Sequence, residues 1–175
     1  MKEKIPCKVL ILGSGPAGIS AAIYTARARL ETIVITGPSL GGRISLASEI
    51  DNYPGVTDNP SGTELMSRFI SQAEKFGAVL DYDTAIKVNL SERPFEIETE
   101  GKIYLAENLI ITTGSRSVTM SVPGEKELTG SGVSYCATCD GFFFKDKKVA
   151  VVGGNNEAVE EAVFLTKFAS SVTII

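Results

Sequence analysis

Lys8-Val9-Leu10-Ile11-Leu12-Gly13-Ser14-Gly15-Pro16-Ala17-Gly18 is the stretch that decides the architecture. Its first five residues are a β-rich run. Three glycines then fall at G-x-G-x-x-G spacing, and residues 16–30 follow as an Ala-rich helix with a proline at an early position. Residues 32–36 read as a second strand. Strand, glycine turn, helix, strand is the opening of a doubly wound α/β sheet. In such a turn Gly13 permits the tight bend, Gly15 lets a pyrophosphate approach the backbone, and Gly18 lets the helix pack closely on the strand. The helix N-terminus faces the anion. The motif alone is weak. Placed directly after a strand and at the opening of a helix, it predicts a dinucleotide site formed by Gly13, Ser14, Gly15, Pro16, Ala17 and Gly18. A glycine-rich turn without a ligand is the alternative. One position departs from the pattern: Thr36 stands where an acidic residue is expected, so a ribose contact there falls to a hydroxyl or the backbone, or is absent.

Working outward, residues 37–62 form a long loop region with Gly-Gly, Tyr-Pro-Gly and Asn-Pro turn signals. Loops of that length in compact domains tend to be functional. Residues 63–76 are predicted helical, with Leu65, Phe69, Ala73 and Phe76 on one face and Gly77 as the stop. From 79 to 111 the pattern changes to short alternating runs. Ile86, Val88 and Leu90, then Phe95 and Ile97, then Ile103 and Leu105, read as an antiparallel excursion. Leu109-Ile110-Ile111 reads as a buried strand ending at Thr112-Thr113-Gly114. Polar and turn residues cluster over 117–124, which sets a first domain at 1–117 and a second at 118–175. The second repeats the plan: a strand at 148–152, the turn Gly153-Gly154-Asn155-Asn156-Glu157-Ala158, a helix at 158–168 and a strand from 172. A parallel sheet that stops after one crossover reads as unfinished, so the C-terminus is expected to be a truncation.

The 175 residues are 43% hydrophobic and 22% charged, as in an ordinary globular protein. There is no apolar run of membrane-spanning length, and the N-terminus lacks the features of a signal peptide, so the cytoplasm is the default expectation. A net charge of −4 gives no electrostatic footprint for nucleic acid. The absence of histidine removes the commonest general base and the commonest metal ligand together. Of the three cysteines, Cys136 and Cys139 are spaced Cys-x-x-Cys. Zinc needs about four ligands, and only Cys7 is left over, so no metal is expected. The pair reads as a dithiol/disulfide in which one thiolate attacks a substrate disulfide and the other resolves the mixed disulfide. An inert buried pair is the alternative. Asp140 adjoins Cys139 and can move the proton such chemistry needs, or else is a solvated turn residue. Cys7 reads as a small packed residue, and Glu160 and Glu161 as the solvated face of their helix.

Gly132-Val133-Ser134-Tyr135-Cys136-Ala137-Thr138-Cys139-Asp140-Gly141 is similar, almost residue for residue, to the redox segment of the low-molecular-weight thioredoxin reductases, which are FAD-dependent pyridine nucleotide-disulfide oxidoreductases. Gly41-Gly42-Arg43 and Glu49-Ile50-Asp51-Asn52-Tyr53-Pro54-Gly55 resemble that family's flavin loop. Thr113-Gly114 and Pro123-Gly124-Glu125 resemble the segment leading into its second domain. The resemblance covers essentially the whole chain. It implies a Rossmann-like three-layer ββα FAD-binding domain, followed by the start of a second, nucleotide-binding-like domain carrying the Cys-x-x-Cys. It implies FAD on the first glycine turn with Thr36, Gly41, Gly42, Arg43, Asn52, Thr113 and Gly114, and NADPH on Gly153, Gly154, Asn155, Asn156, Glu157 and Ala158. Tyr53 and Tyr135 stand either near the flavin ring or in the core. Electrons would pass from NADPH through FAD to the disulfide and on to thioredoxin. Cys139 would be the thiol next to the flavin, Cys136 the one that attacks thioredoxin, and Asp140 the proton donor. The resemblance further implies a rotating second domain and a homodimer.

Three departures qualify the resemblance. Arg43 stands where the family usually has Gln, and Asn155 replaces the central glycine of the nicotinamide turn, with the acidic Glu157 nearby. The family's basic segment for the 2′-phosphate, and the Gly-Asp segment that returns to FAD, lie outside these residues. A relative that takes electrons from reduced ferredoxin is therefore a close rival. An alkyl hydroperoxide reductase flavoprotein would need an N-terminal thioredoxin-like domain. A non-catalytic nucleotide-binding fragment is the remaining alternative.

Overall fold

The computed structural model describes residues 2–175. The chain divides into two compact units, Met1–Arg116 and Ser117–Ile175. Among the described residues, no helix is long and apolar enough to cross a membrane.

The first unit runs β1 (Glu3–Leu12), α1 (Pro16–Arg27), β2 (Thr32–Ile35), a 3-10 turn (Gly42–Leu46), α2 (Gly62–Lys75), β3 (Val79–Asp81), β4 (Lys87–Asn89), β5 (Phe95–Glu98) and β6 (Lys102–Ile111). Its sheet has the order β3-β2-β1-β6-β5-β4. The first four strands are parallel, while β5 and β4 add on antiparallel. The sequence of β1 explains its central place. Its first half exposes Lys4, Pro6 and Lys8, whereas every residue from Val9 to Leu12 is buried, as a parallel strand covered on both faces requires. Val9 and Ile11 pack with Ile19, Ala22 and Ile23 of α1 and Met66 and Ala73 of α2. Leu10 and Leu12 belong to a second cluster with Ile35, Ile97, Tyr104 and Ala106.

The expected strand–turn–helix–strand order is present, with shifted boundaries. Helix α1 ends at Arg27, three residues early, because Arg29 turns left-handed (φ 59°) and its N–H bonds back to the carbonyl of Ala26. Helix α2 begins at a capping box: Ser61 Oγ accepts from the Glu64 N–H, and the Glu64 carboxylate accepts from the Ser61 N–H. Such a cap contributes about 1 kcal/mol. The 79–111 region differs more. β3 is a third parallel strand, paired with β2, and the runs at 103–105 and 109–111 belong to one ten-residue strand, β6. β3 is a short edge strand with Val79 exposed, so it carries no alternation to read. β6 pairs with β1 along its whole length and with β5 over part of it, which blurs its pattern. Asp81 at the end of β3 accepts hydrogen bonds from Lys102 and from the buried Tyr104 hydroxyl.

The second unit contains α3 (Glu125–Leu128), α4 (Ala137–Asp140), a 3-10 turn (Gly141–Phe144), β7 (Lys148–Val151), α5 (Asn156–Leu165) and β8 (Ser171–Ile174). β7 and β8 are parallel. Ala158, Ala162 and Leu165 of α5 pack with Val151 and with Ala137 of the cysteine segment. The helix expected at 158–168 starts two residues earlier because Asn155 caps it.

Gly18 is the tightest joint of the first unit's glycine turn. A Cβ there would lie 1.9 Å from the Gly13 carbonyl oxygen and 2.7 Å from Thr112 Oγ1. Gly18→Ala should therefore destabilise the protein by about 3 kcal/mol, read as a lower urea midpoint at unchanged slope. A midpoint equal to wild type would show that the contact is not limiting.

Candidate functional site

The glycine turn sits where three strands end. The Gly13 N–H donates to the Ile35 carbonyl, and Thr112 Oγ1 donates to the carbonyl of Leu12. Gly13 takes φ 110°, and a Cβ on it would collide with the Thr112 carbonyl at 2.3 Å. Ser14 is fully buried and is the hub. Its hydroxyl donates to the Thr36 carbonyl (3.0 Å) and accepts from the Gly41 N–H (3.2 Å). One side chain thus binds the turn to the end of β2 and to the following loop. Gly42, at φ 68°, comes so near Gly15 that a Cβ on it would lie 3.1 Å from the Gly15 Cα. Arg43 is exposed and its guanidinium donates to Ser115 Oγ (3.3 Å), joining the 41–43 loop to the segment after Thr113 and Gly114. The turn, Thr36, Gly41, Gly42, Arg43, Thr113 and Gly114 are thereby brought to one end of the sheet. Asn52 is exposed on its loop, and its side chain makes no hydrogen bond among the described residues. Thr36 is buried; its hydroxyl donates to the Gly37 carbonyl and its N–H to the Asp81 carbonyl.

The start of α1 is open. Its N-cap, Gly15, has no side chain to cap with, Pro16 takes the first helical position, and the first turn has no acidic residue. A Cβ on Gly15 would have no heavy atom closer than 3.9 Å, so space stands over the turn. Free N–H groups, the positive end of the helix dipole and a bare backbone together suit a phosphate group.

The second turn has the same plan and a different end. Gly153 matches Gly13 and takes φ 155°, and the methyl of Ala158 stands where Gly18 stands in the first turn. Asn155 occupies the N-cap position of Gly15. Its backbone is extended (φ −102°, ψ 172°), and its Oδ1 accepts from the Ala158 N–H at 2.9 Å. The start of α5 is therefore capped from within, and Glu157 adds a carboxylate to its first turn.

In the second unit Cys136 and Cys139 are joined as a disulfide, with Cα atoms 5.3 Å apart. Cys139 is exposed and Cys136 half-buried. Ser134 Oγ accepts from the Cys136 N–H (3.1 Å) and donates to the Asp140 carboxylate, so Asp140 is tethered to the Cys136 backbone and not free in solvent. Tyr135 donates its hydroxyl to Glu125 (2.8 Å), and Tyr53 meets the edge of Phe69 at 5.5 Å. Glu125 is 5% exposed and also accepts from the N–H of Met120, a bond that holds its carboxyl below the usual carboxylate range. Its signal in the sequence is its place directly after the left-handed Gly124 of a Pro-Gly turn. Glu161 corrects an expectation: it is half-buried, and its carboxylate accepts from the Ala137 N–H at 3.1 Å. Cys7 is packed as expected, and burial pushes its thiol up to about 11, which keeps it protonated and inert.

The sequence profile of the family described as pyridine nucleotide-disulphide oxidoreductase matches residues 7–175. A thioredoxin reductase of Rickettsia felis is 51% identical over 172 residues, covering 98% of this chain and 56% of that protein. The crystal structure of thioredoxin reductase from Streptococcus pyogenes superposes with a TM-score of 0.91 at 43% identity, over 97% of this chain and 55% of that one. A ferredoxin-flavin thioredoxin reductase structure from Clostridium acetobutylicum is similar at 33% identity and a TM-score of 0.59, over 98% of this chain and 60% of that one. The chain spans about half the length of the curated relatives it matches.

Proposed function

The chain belongs to the pyridine nucleotide-disulphide oxidoreductase family, and from that premise we propose that it supplies the flavin turn and the redox disulfide of a thioredoxin-disulfide reductase, cytoplasmic and homodimeric. The observation that carries this reading is the pairing, in one chain, of an uncapped βα glycine turn with a Cys136–Cys139 disulfide whose neighbours are individually held.

The first unit fits FAD. The open Gly15 and the first-turn N–H groups of Ala17 and Gly18 suit its pyrophosphate, with Gly13, Ser14 and Pro16 shaping the turn. Gly41, Gly42, Arg43, Asn52, Thr113 and Gly114 are assigned to the rest of the cofactor, and Thr36 to the ribose. When bound, the flavin relays two electrons from the donor to the disulfide. Reduction breaks the Cys136–Cys139 bond and takes up two electrons and two protons. The Cys136 thiolate then attacks the disulfide of oxidised thioredoxin, forming a mixed disulfide and releasing one thioredoxin thiolate, to which Asp140 supplies the proton. Cys139 attacks Cys136 Sγ, frees the second thioredoxin thiolate and restores the disulfide. Ser134 holds Asp140 in place throughout.

NADPH is the family's default donor. A second reading, a donor that does not use residues 153–158, is favoured by Asn155. Its side chain already holds the Ala158 N–H that a pyrophosphate would seek, and Glu157 repels phosphate. Those residues do not fit a nicotinamide nucleotide well, and reduced ferredoxin is the alternative donor.

Two experiments test these assignments. With single-cysteine thioredoxin activated as its mixed disulfide with thionitrobenzoate, the Cys136 thiolate of Cys139→Ser should displace thionitrobenzoate and trap a covalent complex, and Cys136→Ser should not. The opposite pattern reverses the roles. With full-length protein under anaerobic conditions, prompt flavin bleaching by micromolar NADPH would remove the ferredoxin reading. Bleaching by reduced ferredoxin alone would remove the nicotinamide one, and Asn155→Gly should then raise NADPH affinity about tenfold. Glycine at an N-cap costs only a few tenths of a kcal/mol, so that variant should fold.

A further inference from the structure

Cys136 is fixed on both sides by carboxylates that the chemistry above does not use. On one side Tyr135 is latched through its hydroxyl to the buried Glu125. On the other, the N–H of Ala137 is held by Glu161, which reaches across from α5. The methyl of Ala137 is itself buried with Val151, Ala158, Ala162 and Leu165, so the backbone next to Cys136 belongs to the core of the second unit. A Cβ on Gly141 would meet Phe164, Leu165 and Phe168 at 3.3–3.4 Å, so the other end of the cysteine segment also lies on α5.

The Glu161 contact has an electrostatic consequence. Cys136 is the N-cap residue of α4 and its sulfur lies 3.3 Å from the Thr138 hydroxyl, while the next N–H along the chain, that of Ala137, is taken by Glu161. Glu161 occupies that donor and brings its own negative charge within one peptide unit of Cys136. The other titratable groups on this cluster are Tyr135, Asp140 and, through Tyr135, Glu125, so no cation among these contacts offsets the charge. A neutral disulfide is indifferent to such a neighbour, whereas a thiolate is disfavoured by it.

We propose that Glu161 is a positioning residue for the redox disulfide: held on the Ala137 N–H, its carboxylate keeps a negative charge one peptide unit from Cys136, disfavours the reduced pair and makes the pair a stronger reductant. This rests on the disulfide-reductase reading for its purpose, but its test does not.

The test is equilibration of the protein with glutathione redox buffers at pH 8.5, where thiolate contributes, followed by acid quench, alkylation and counting of free thiols by mass. The exchange is balanced: protein disulfide plus two glutathione gives protein dithiol plus glutathione disulfide. Glu161→Gln keeps the shape and an acceptor oxygen for Ala137 but loses the charge. It should raise the equilibrium constant for reduction about threefold, which is about 14 mV at 29.6 mV per tenfold. Glu161→Ala, which loses both charge and acceptor, should shift it in the same direction. An unchanged constant in Glu161→Gln, the result for a residue that only packs or pins, overturns the proposal, as does a shift toward the disulfide in either variant. A wild-type pair that fails to exchange with glutathione at all would instead remove the reductase reading, so the two failures are distinguishable.

Discussion

The approach of α1 to the end of β1 is the constraint on which the first unit depends. A helix can begin this close to a strand only if the residue facing the Gly13 carbonyl has no side chain, and Gly18 meets that condition. Once the helix is there, Gly13 must turn through a positive φ beneath Thr112, and Ser14 is driven into the interior. A buried hydroxyl must find partners or cost about 1–3 kcal/mol. Ser14 finds them in Thr36 and Gly41, which draws the end of β2 and the next loop onto the turn. Fold and candidate cofactor cradle are one set of contacts.

The two glycine turns show how one side chain changes what such a plan can do. Both follow a parallel strand, both open a helix, and both begin on a glycine at positive φ. At the N-cap, Gly15 leaves the helix start unsatisfied and open, whereas Asn155 satisfies it with its own Oδ1. An unsatisfied helix start is a binding resource, and a capped one is a stabilised helix end. The redox segment follows the same logic, with Glu125 and Glu161 spending their charge on Tyr135 and Ala137.

Much of this was legible in the sequence where the signal is local. The glycine spacing, the β-rich run before it and the Ala-rich run after it give β1, α1 and their order directly. The gathering of Gly41, Gly42, Arg43, Thr113 and Gly114 at that turn came from the family resemblance, not from periodicity. What the sequence hid depends on distant partners. β3 has three residues on an edge and no alternation, so only its pairing with β2 reveals it as a parallel strand. Glu161 follows Glu160 on a helix and looked solvated, because nothing local shows that Ala137, far earlier in the chain, brings an N–H to it. The caps at Ser61 and Asn155 were local signals, each a short polar side chain just before a helix, and they set the helix starts that the apolar pattern misplaced.

The central claim is that the first glycine turn, and not the second, receives the pyrophosphate of FAD. It is tested most directly by following backbone amide resonances of the isotopically labelled chain as FAD is added. The account predicts saturable shifts of the Ala17 and Gly18 amides, while the amides of Asn156, Glu157 and Ala158 stay where they are. Unmoved amides in the first turn, or equal movement in both turns, would contradict it.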